Sequence, residues 1–277
     1  MRRALALALF VPAMTAMATA SVALAQSPGD VRLMSVGNEL YATGQYDEAT
    51  NYYDQLIRQG AHSGPLYYNL GNAHYNQGEM GRAILNYLRA QRIMPRDNDL
   101  QSNLALARSL TRDSGASGGE TPLAIWNDIT ERRLTLDELA LVTLAFWFAF
   151  AMALVVVVMM TRRGVKRAAK IVAILIAVPM VAAFFALGSR LYADALNPDV
   201  VVVVEEAEVT TGPSPQYALQ LTLLGGAEAR LLDARGSWSK VSVRGGEVEG
   251  WVRSSSIELV RAGGNTVLPS PRLSLSP

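Results

Sequence analysis

Apolar positions recur along this chain with three different spacings, and each spacing predicts a different kind of element. Between Asp30 and Asp97 the pattern repeats every 34 residues: Gly37 falls on Gly71, Asn38 on Asn72, Tyr41 on Tyr75, Gly44 on Gly78, Ala49 on Ala83 and Tyr53 on Tyr87. Each copy (30–63 and 64–97) reads as two antiparallel helices. Gly37/Gly71 and Ala49/Ala83 are small where the helices approach, and Tyr53/Tyr87 are large where the second helix fills the core. Gly44/Gly78 break the chain between helices, and Pro95 ends the second pair. Leu100, Leu104, Ala107 and Leu110 then share a helical face, which predicts a capping helix over 98–112 covering the second repeat. Stacked repeats need neighbours on both faces and usually number at least three, so two leave the array short.

The second spacing is continuous. Leu139–Met160 runs 22 residues without a charge, and Ala168–Gly188 is interrupted only by Lys170. Each is long enough to cross a hydrocarbon layer about 30 Å thick, which predicts membrane-spanning helices over 139–160 and 171–188, with Pro179 tolerated as a kink. The third spacing begins at Val200, in short β-rich runs broken by glycine: Val200–Val204, Glu208–Thr210, Leu219–Leu223, Ala229–Asp233, Ser239–Val243, Gly250–Arg253 and Ile257–Val260. That rhythm predicts a small barrel over 200–261.

Charge and composition orient these elements. The chain of 277 residues is 50% hydrophobic and only 18% charged, too apolar for a wholly soluble protein. Lys and Arg number 25 against 24 acids, so no global field draws in nucleic acid. The local imbalance is decisive instead. The connection 161–170 carries Arg162, Arg163, Lys166, Arg167 and Lys170 and no acid, whereas 114–138 holds five acids against two bases. By the positive-inside rule this basic turn is a cytoplasmic loop, and both flanking segments lie on the opposite side. The N-terminus agrees: Met1-Arg2-Arg3, the apolar run Ala4–Val11 and Ala23-Leu24-Ala25 have the order of a secretory signal peptide over 1–25. Ser114–Gly119 opens a linker (113–138), and the Gly/Ser/Pro-rich tail 262–277 reads as disordered.

Catalytic chemistry finds little material. There is no cysteine, and only His62 and His74 titrate near neutrality. No nucleophile–base set, metal-ligand cluster or phosphate-binding glycine loop stands out, so the expectation is a non-enzyme without cofactor or metal. Neither apolar run carries a central charge, which argues for anchoring rather than transport.

Two resemblances sharpen this reading. The 34-residue copies, with Leu70-Gly71, His74, Gly78, Ala83, Tyr87, Ala90 and Pro95 in the second, closely resemble tetratricopeptide repeats. The resemblance implies a concave groove lined by the first helix of each copy, presenting Asn38, Tyr41, Asn69, Asn72, Tyr75 and Asn76 to a peptide. Amides suit a backbone ligand because they both donate and accept, and tyrosines add contact area at low entropic cost. Val209 with Gly212-Pro213-Ser214, Leu231-Leu232, Gly236–Val241, Gly250-Trp251-Val252 and Ile257 resemble a bacterial SH3-type domain, with Thr210 or Thr211 replacing the usual first-strand arginine. Its Trp238 and Trp251 suggest a binding platform, although in so small a barrel tryptophan more often fills the core.

The whole order resembles the BatE-type proteins of bacterial aerotolerance operons. The fold expected is therefore a multi-domain membrane protein: an all-α repeat array, a two-helix transmembrane hairpin and a small all-β SH3-like barrel. That resemblance implies an inner-membrane scaffold with both soluble modules in the periplasm and a role in stress tolerance. Its implied partners are envelope proteins, among them von Willebrand A-domain membrane proteins and a MoxR-type ATPase system. The alternative is a cell-wall protein that binds peptidoglycan through the SH3-like domain.

Overall fold

A computed structural model describes residues 28–111, 134–243 and 248–261. The expected signal peptide, most of the linker and the C-terminal tail lie outside the described residues. Five helices come first: α1 (Pro28–Ala42), α2 (Tyr46–Arg58), α3 (Gly64–Asn76), α4 (Met80–Ile93) and α5 (Asn98–Thr111). Two long helices follow, α6 (Leu136–Met159) and α7 (Arg163–Leu196).

Small residues set the pairing of α1 with α2 and of α3 with α4. A Cβ on Gly37 would lie 2.6 Å from the Tyr53 ring, and one on Gly71 would lie 2.7 Å from the Tyr87 ring. The tyrosines thus occupy the space that the two glycines leave. Between paired helices the chain reverses at Gly44 (φ 80°) and Gly78 (φ 81°), a left-handed conformation that glycine adopts without steric cost. Leu66, Leu70 and Ala73 of α3 are buried, and so are Leu100, Leu104 and Ala107 of α5, 34 positions later. The caps repeat as well. Ser63 Oγ accepts from the Leu66 amide, and Asp97 Oδ1 accepts from the Leu100 amide. The helix expected to serve as a cap is therefore the first helix of a third copy, still covering the second. Among the described residues no partner helix completes that copy.

The strands are β1 (Asp199–Val202), β2 (Glu206–Thr210), β3 (Leu219–Leu224), β4 (Glu228–Arg235), β5 (Trp238–Val243), β6 (Glu249–Arg253) and β7 (Ile257–Leu259). They form one antiparallel sheet in the order β3-β2-β6-β5-β4-β1-β7. All seven contribute to a single apolar cluster that includes Val202, Val209, Leu223, Leu231, Val241, Val252 and Ile257, so the sheet curls around its own core. Its hydrogen bonding does not close: β3 and β7 are two edges, where a barrel was expected.

The β module docks on the helical array. A second cluster joins Ile84 of α4 and Leu100, Leu104 and Ala107 of α5 to Val201 of β1 and Val260 just after β7. Arg108 makes a bidentate pair with Glu228 at 2.6 and 3.0 Å. Arg89 donates to Leu259 O at 2.9 Å and to Glu258 at 3.1 Å. The sheet thus covers the outer side of α4 and the flank of α5, where the third copy lacks its second helix.

Helices α6 and α7 form an antiparallel hairpin, each long and apolar enough to cross a membrane. Only 11% and 17% of their most apolar windows are buried by the rest of the protein, which a core helix of a soluble domain would not tolerate. Small side chains line their contact: Thr143 and Ala153 on α6, and Ala173, Ala183 and Ala186 on α7 are buried, as expected for helices that associate by close packing in lipid. The basic segment expected as a loop is helical from Arg163 onward, leaving Met160–Arg162 as the connection, and α7 extends beyond the expected 171–188 at both ends. Arg92 of α4 pairs with Asp194 near the end of α7 and with Asp199 of β1, at 3.1 and 3.2 Å.

Candidate functional site: the inner face of the repeat array

The inner face is built from the first helix of each copy, and its side chains form a hydrogen-bond ladder with the same 34-residue period. Asn38 Oδ1 accepts from Tyr53 Oη (2.9 Å) and from Asn69 Nδ2 (2.9 Å). One repeat later, Asn72 Oδ1 accepts from Tyr87 Oη (2.8 Å) and from Asn103 Nδ2 (3.0 Å). Each rung therefore ties the second helix of its own copy and the first helix of the next copy to one amide oxygen. Cross-links between rungs come from Asn76 Nδ2, which donates to Tyr41 Oη (3.0 Å) and to Asn72 O (2.8 Å), and from Asn103 Nδ2, which also donates to Tyr68 Oη (3.0 Å).

Burial fixes the phenols as donors. Tyr53 is fully buried, and its pKa is pushed up to about 12, first by burial and then by the nearby Tyr41. Tyr87 is raised further still, by burial and by Tyr68. A carbonyl oxygen accepts two hydrogen bonds, so the Oδ1 atoms of Asn38 and Asn72 are saturated. Among the described residues nothing accepts from their Nδ2 amides. The ladder offers a ligand one such amide donor per repeat.

The central helix of the inner face also lacks charge. α3 contains no acid, lysine or arginine. Its His74 is 5% exposed, hydrogen-bonded through Nδ1 to Glu79 (2.8 Å) and within reach of Gln77 Oε1 (3.0 Å). Burial holds its pKa below the ordinary imidazole value, against the opposing pull of Glu79 and Asp54.

Five of the six residues expected in the groove, Asn38, Tyr41, Asn69, Asn72 and Asn76, meet in this ladder. Tyr75 does not join it and is half-buried against the cluster shared by α4, α5 and the sheet. Sequence reasoning missed Asn103, Tyr68 and the hydroxyl roles of Tyr53 and Tyr87. The signal for Asn103 was present, since it lies 34 residues after Asn69.

The tryptophans of the β module divide. Trp251 on β6 is buried, with the Arg235 guanidinium 5.1 Å from its ring centre. Trp238 at the start of β5 is half-buried, with Arg253 5.5 Å from its ring centre. Thr210, one of the two threonines singled out on the sequence, is buried with its hydroxyl 2.9 Å from Gly212 O and 3.1 Å from Trp251 O. Each indole thus has one face occupied by an arginine of the module itself.

No curated protein matches this sequence. Residues 64–97, the segment that folds as α3 and α4 and supplies the second rung, match the family model of the tetratricopeptide repeat.

Proposed function

We propose that this protein is a membrane-anchored scaffold that holds an extended peptide segment of a partner protein against the inner face of its repeats. The observation that carries this reading is the saturated ladder. The Oδ1 atoms of Asn38 and Asn72 are consumed internally, while their amide donors stay available for a peptide's carbonyls, one repeat apart. The docked β module supports it, because the module packs on α4 and α5 while Asn38 and Asn76 of the inner face stay exposed.

Helices α6 and α7 are the anchor in this reading. Five exposed cations at their connection favour a cytoplasmic turn, with the repeats and the β module on the periplasmic side of a bacterial inner membrane. The order of modules along the sequence, which resembles that of BatE-type proteins, supports a place in an envelope complex linked to stress tolerance. The arginine on one face of each indole favours partner binding through the repeats over peptidoglycan binding through the β module.

The test replaces an amide NH2 by a carboxylate oxygen. Asn72→Asp preserves the oxygen that holds Tyr87 and Asn103 and removes the outward amide donor. Photo-crosslinking in membranes from a probe at Asn76 should trap a discrete set of envelope proteins with the native chain. It should trap about ten-fold less of each with Asn72→Asp. Equal trapping by both chains refutes the groove.

A further inference from the structure

The two edges of the sheet are treated differently. β7 has three residues, and its edge is covered from the array, where Arg89 donates to Leu259 O. β3 is twice as long and lies at the opposite end of the strand order, paired only with β2. Lysine, proline, charge, a β-bulge and extreme shortness normally blunt an exposed edge. Leu219-Gln220-Leu221-Thr222-Leu223-Leu224 has no charge and no proline; its one such device is a register shift at Gln220, and Leu221, Thr222, Leu223 and Leu224 pair regularly with β2 beyond it. Leu219 is 57% exposed and Leu224 39%.

The free backbone groups can be assigned from the register. Gly225 N–H donates to Glu205 O, and Leu223 and Leu221 stand opposite Ala207 and Val209. Antiparallel strands alternate between inward and outward peptide groups, so Leu221 and Leu223 bond to β2. Thr222 and Leu224 direct their N–H and C=O groups to the open edge. These groups are displayed on an uncharged apolar strand, which is the template that strand addition requires.

Charge beside the edge selects the occupant. Glu208 stands opposite Thr222 and Glu206 opposite Leu224, so both carboxylates share a sheet face with the outward-bonding residues of β3. Both are exposed, as is Glu205 just before them, and none of the three forms an ion pair among the described residues. A second copy pairing through the same edge would set two acidic rows three inter-strand spacings, about 14 Å, apart with no cation between them. A lysine or arginine on an added strand lies about 10 Å from the row, two inter-strand spacings away, and its side chain spans most of that distance. We infer that the β3 edge accepts an extended segment of a partner protein, alternating apolar and basic residues, as an eighth antiparallel strand. This surface is separate from the inner face of the repeats.

The experiment uses the full chain in phosphatidylcholine nanodiscs and a fluorescent, end-blocked peptide of alternating valine and lysine, followed by anisotropy. The expected result is saturable binding that weakens with salt. It should fall about ten-fold or more for the fully N-methylated peptide, which keeps charge and apolar area but has no backbone donors. Thr222→Pro removes an outward donor, and Thr222→Lys places a cation on the edge without touching the backbone. Each should cost about ten-fold in affinity. Glu206→Gln with Glu208→Gln should flatten the salt dependence, while Asn72→Asp should change nothing, which separates this edge from the groove. Absence of saturable binding, equal binding of the N-methylated peptide, or normal binding by both Thr222 variants overturns the proposal. So does a native dimer that Thr222→Lys converts to monomer, because the occupant is then a second copy.

Discussion

At the scale of single residues, the repeat is a hydrogen-bonding unit as much as a packing unit. Glycine at 37 and 71 admits a tyrosine ring, and the ring's length brings its hydroxyl to the asparagine one residue after that glycine. Removing that acceptor has a stated cost: Asn72→Ala leaves the buried Tyr87 hydroxyl and the Asn103 amide without it, worth about 1–3 kcal/mol of stability. Asn72→Asp should cost much less, and comparing their thermal midpoints checks the assignment. The same burial makes the array sensitive to alkali. Unfolded phenols ionise near pH 10, but Tyr53 holds its proton up to about 12 in the fold. Between those values the unfolded chain binds fewer protons than the folded one, so this residue's contribution is intact below about pH 10 and is lost as pH rises towards 12. A tyrosinate absorbance titration of the full chain in detergent should show late-titrating phenols, one fewer in Tyr53→Phe. If that variant leaves the late fraction unchanged, Tyr53 is not buried.

At the scale of elements, what was legible depended on how loudly each residue announces its role. Glycine and tyrosine are rare enough that their 34-residue coincidence located α1 to α4 and their turns. The third copy keeps only Leu100, Asn103, Leu104 and Ala107, residues common in any helix, and so read as a cap. The seven strands were legible from β-branched runs, but barrel closure was not, because edge pairing depends on long-range geometry that no local pattern encodes. In the hairpin, charge carried an expectation about orientation and none about backbone. Six of the eight residues from Arg163 to Lys170 are arginine, lysine or alanine, all good helix formers, and with the extension past Gly188 they bring α7 to 34 residues, or about 51 Å. That exceeds a hydrocarbon layer of about 30 Å, so in the proposed anchor the basic first turns have length to spare outside the hydrocarbon. A topology reporter inserted after Arg163 should therefore register the cytoplasm, and reversing all five cations to glutamate should lower or invert that signal. A periplasmic signal from the native sequence overturns the orientation.

At the scale of the molecule, the repeats, the sheet and the hairpin are joined through α4. Arg89 reaches β7, and Arg92 reaches both β1 and the end of α7. On the sequence these look like solvated helix cations, so the docking was not foreseen. Its sharpest signature is Gly81. In an isolated helix, replacing glycine by alanine stabilises by about 0.5–1 kcal/mol. Here a Cβ at position 81 would lie 2.5 Å from Val202 O and 3.0 Å from Val203 Cα, backbone atoms that no side-chain rotation can relieve. Docking therefore reverses the sign of the substitution. In a chain ending at Leu196, Gly81→Ala should raise the thermal midpoint. In the full chain it should lower the midpoint and speed amide exchange in β1 and β7, because β1 must move off α4. A gain of the same size in both chains would mean that the sheet does not rest on α4 in solution, and the inner face would then lose its fixed relation to the membrane.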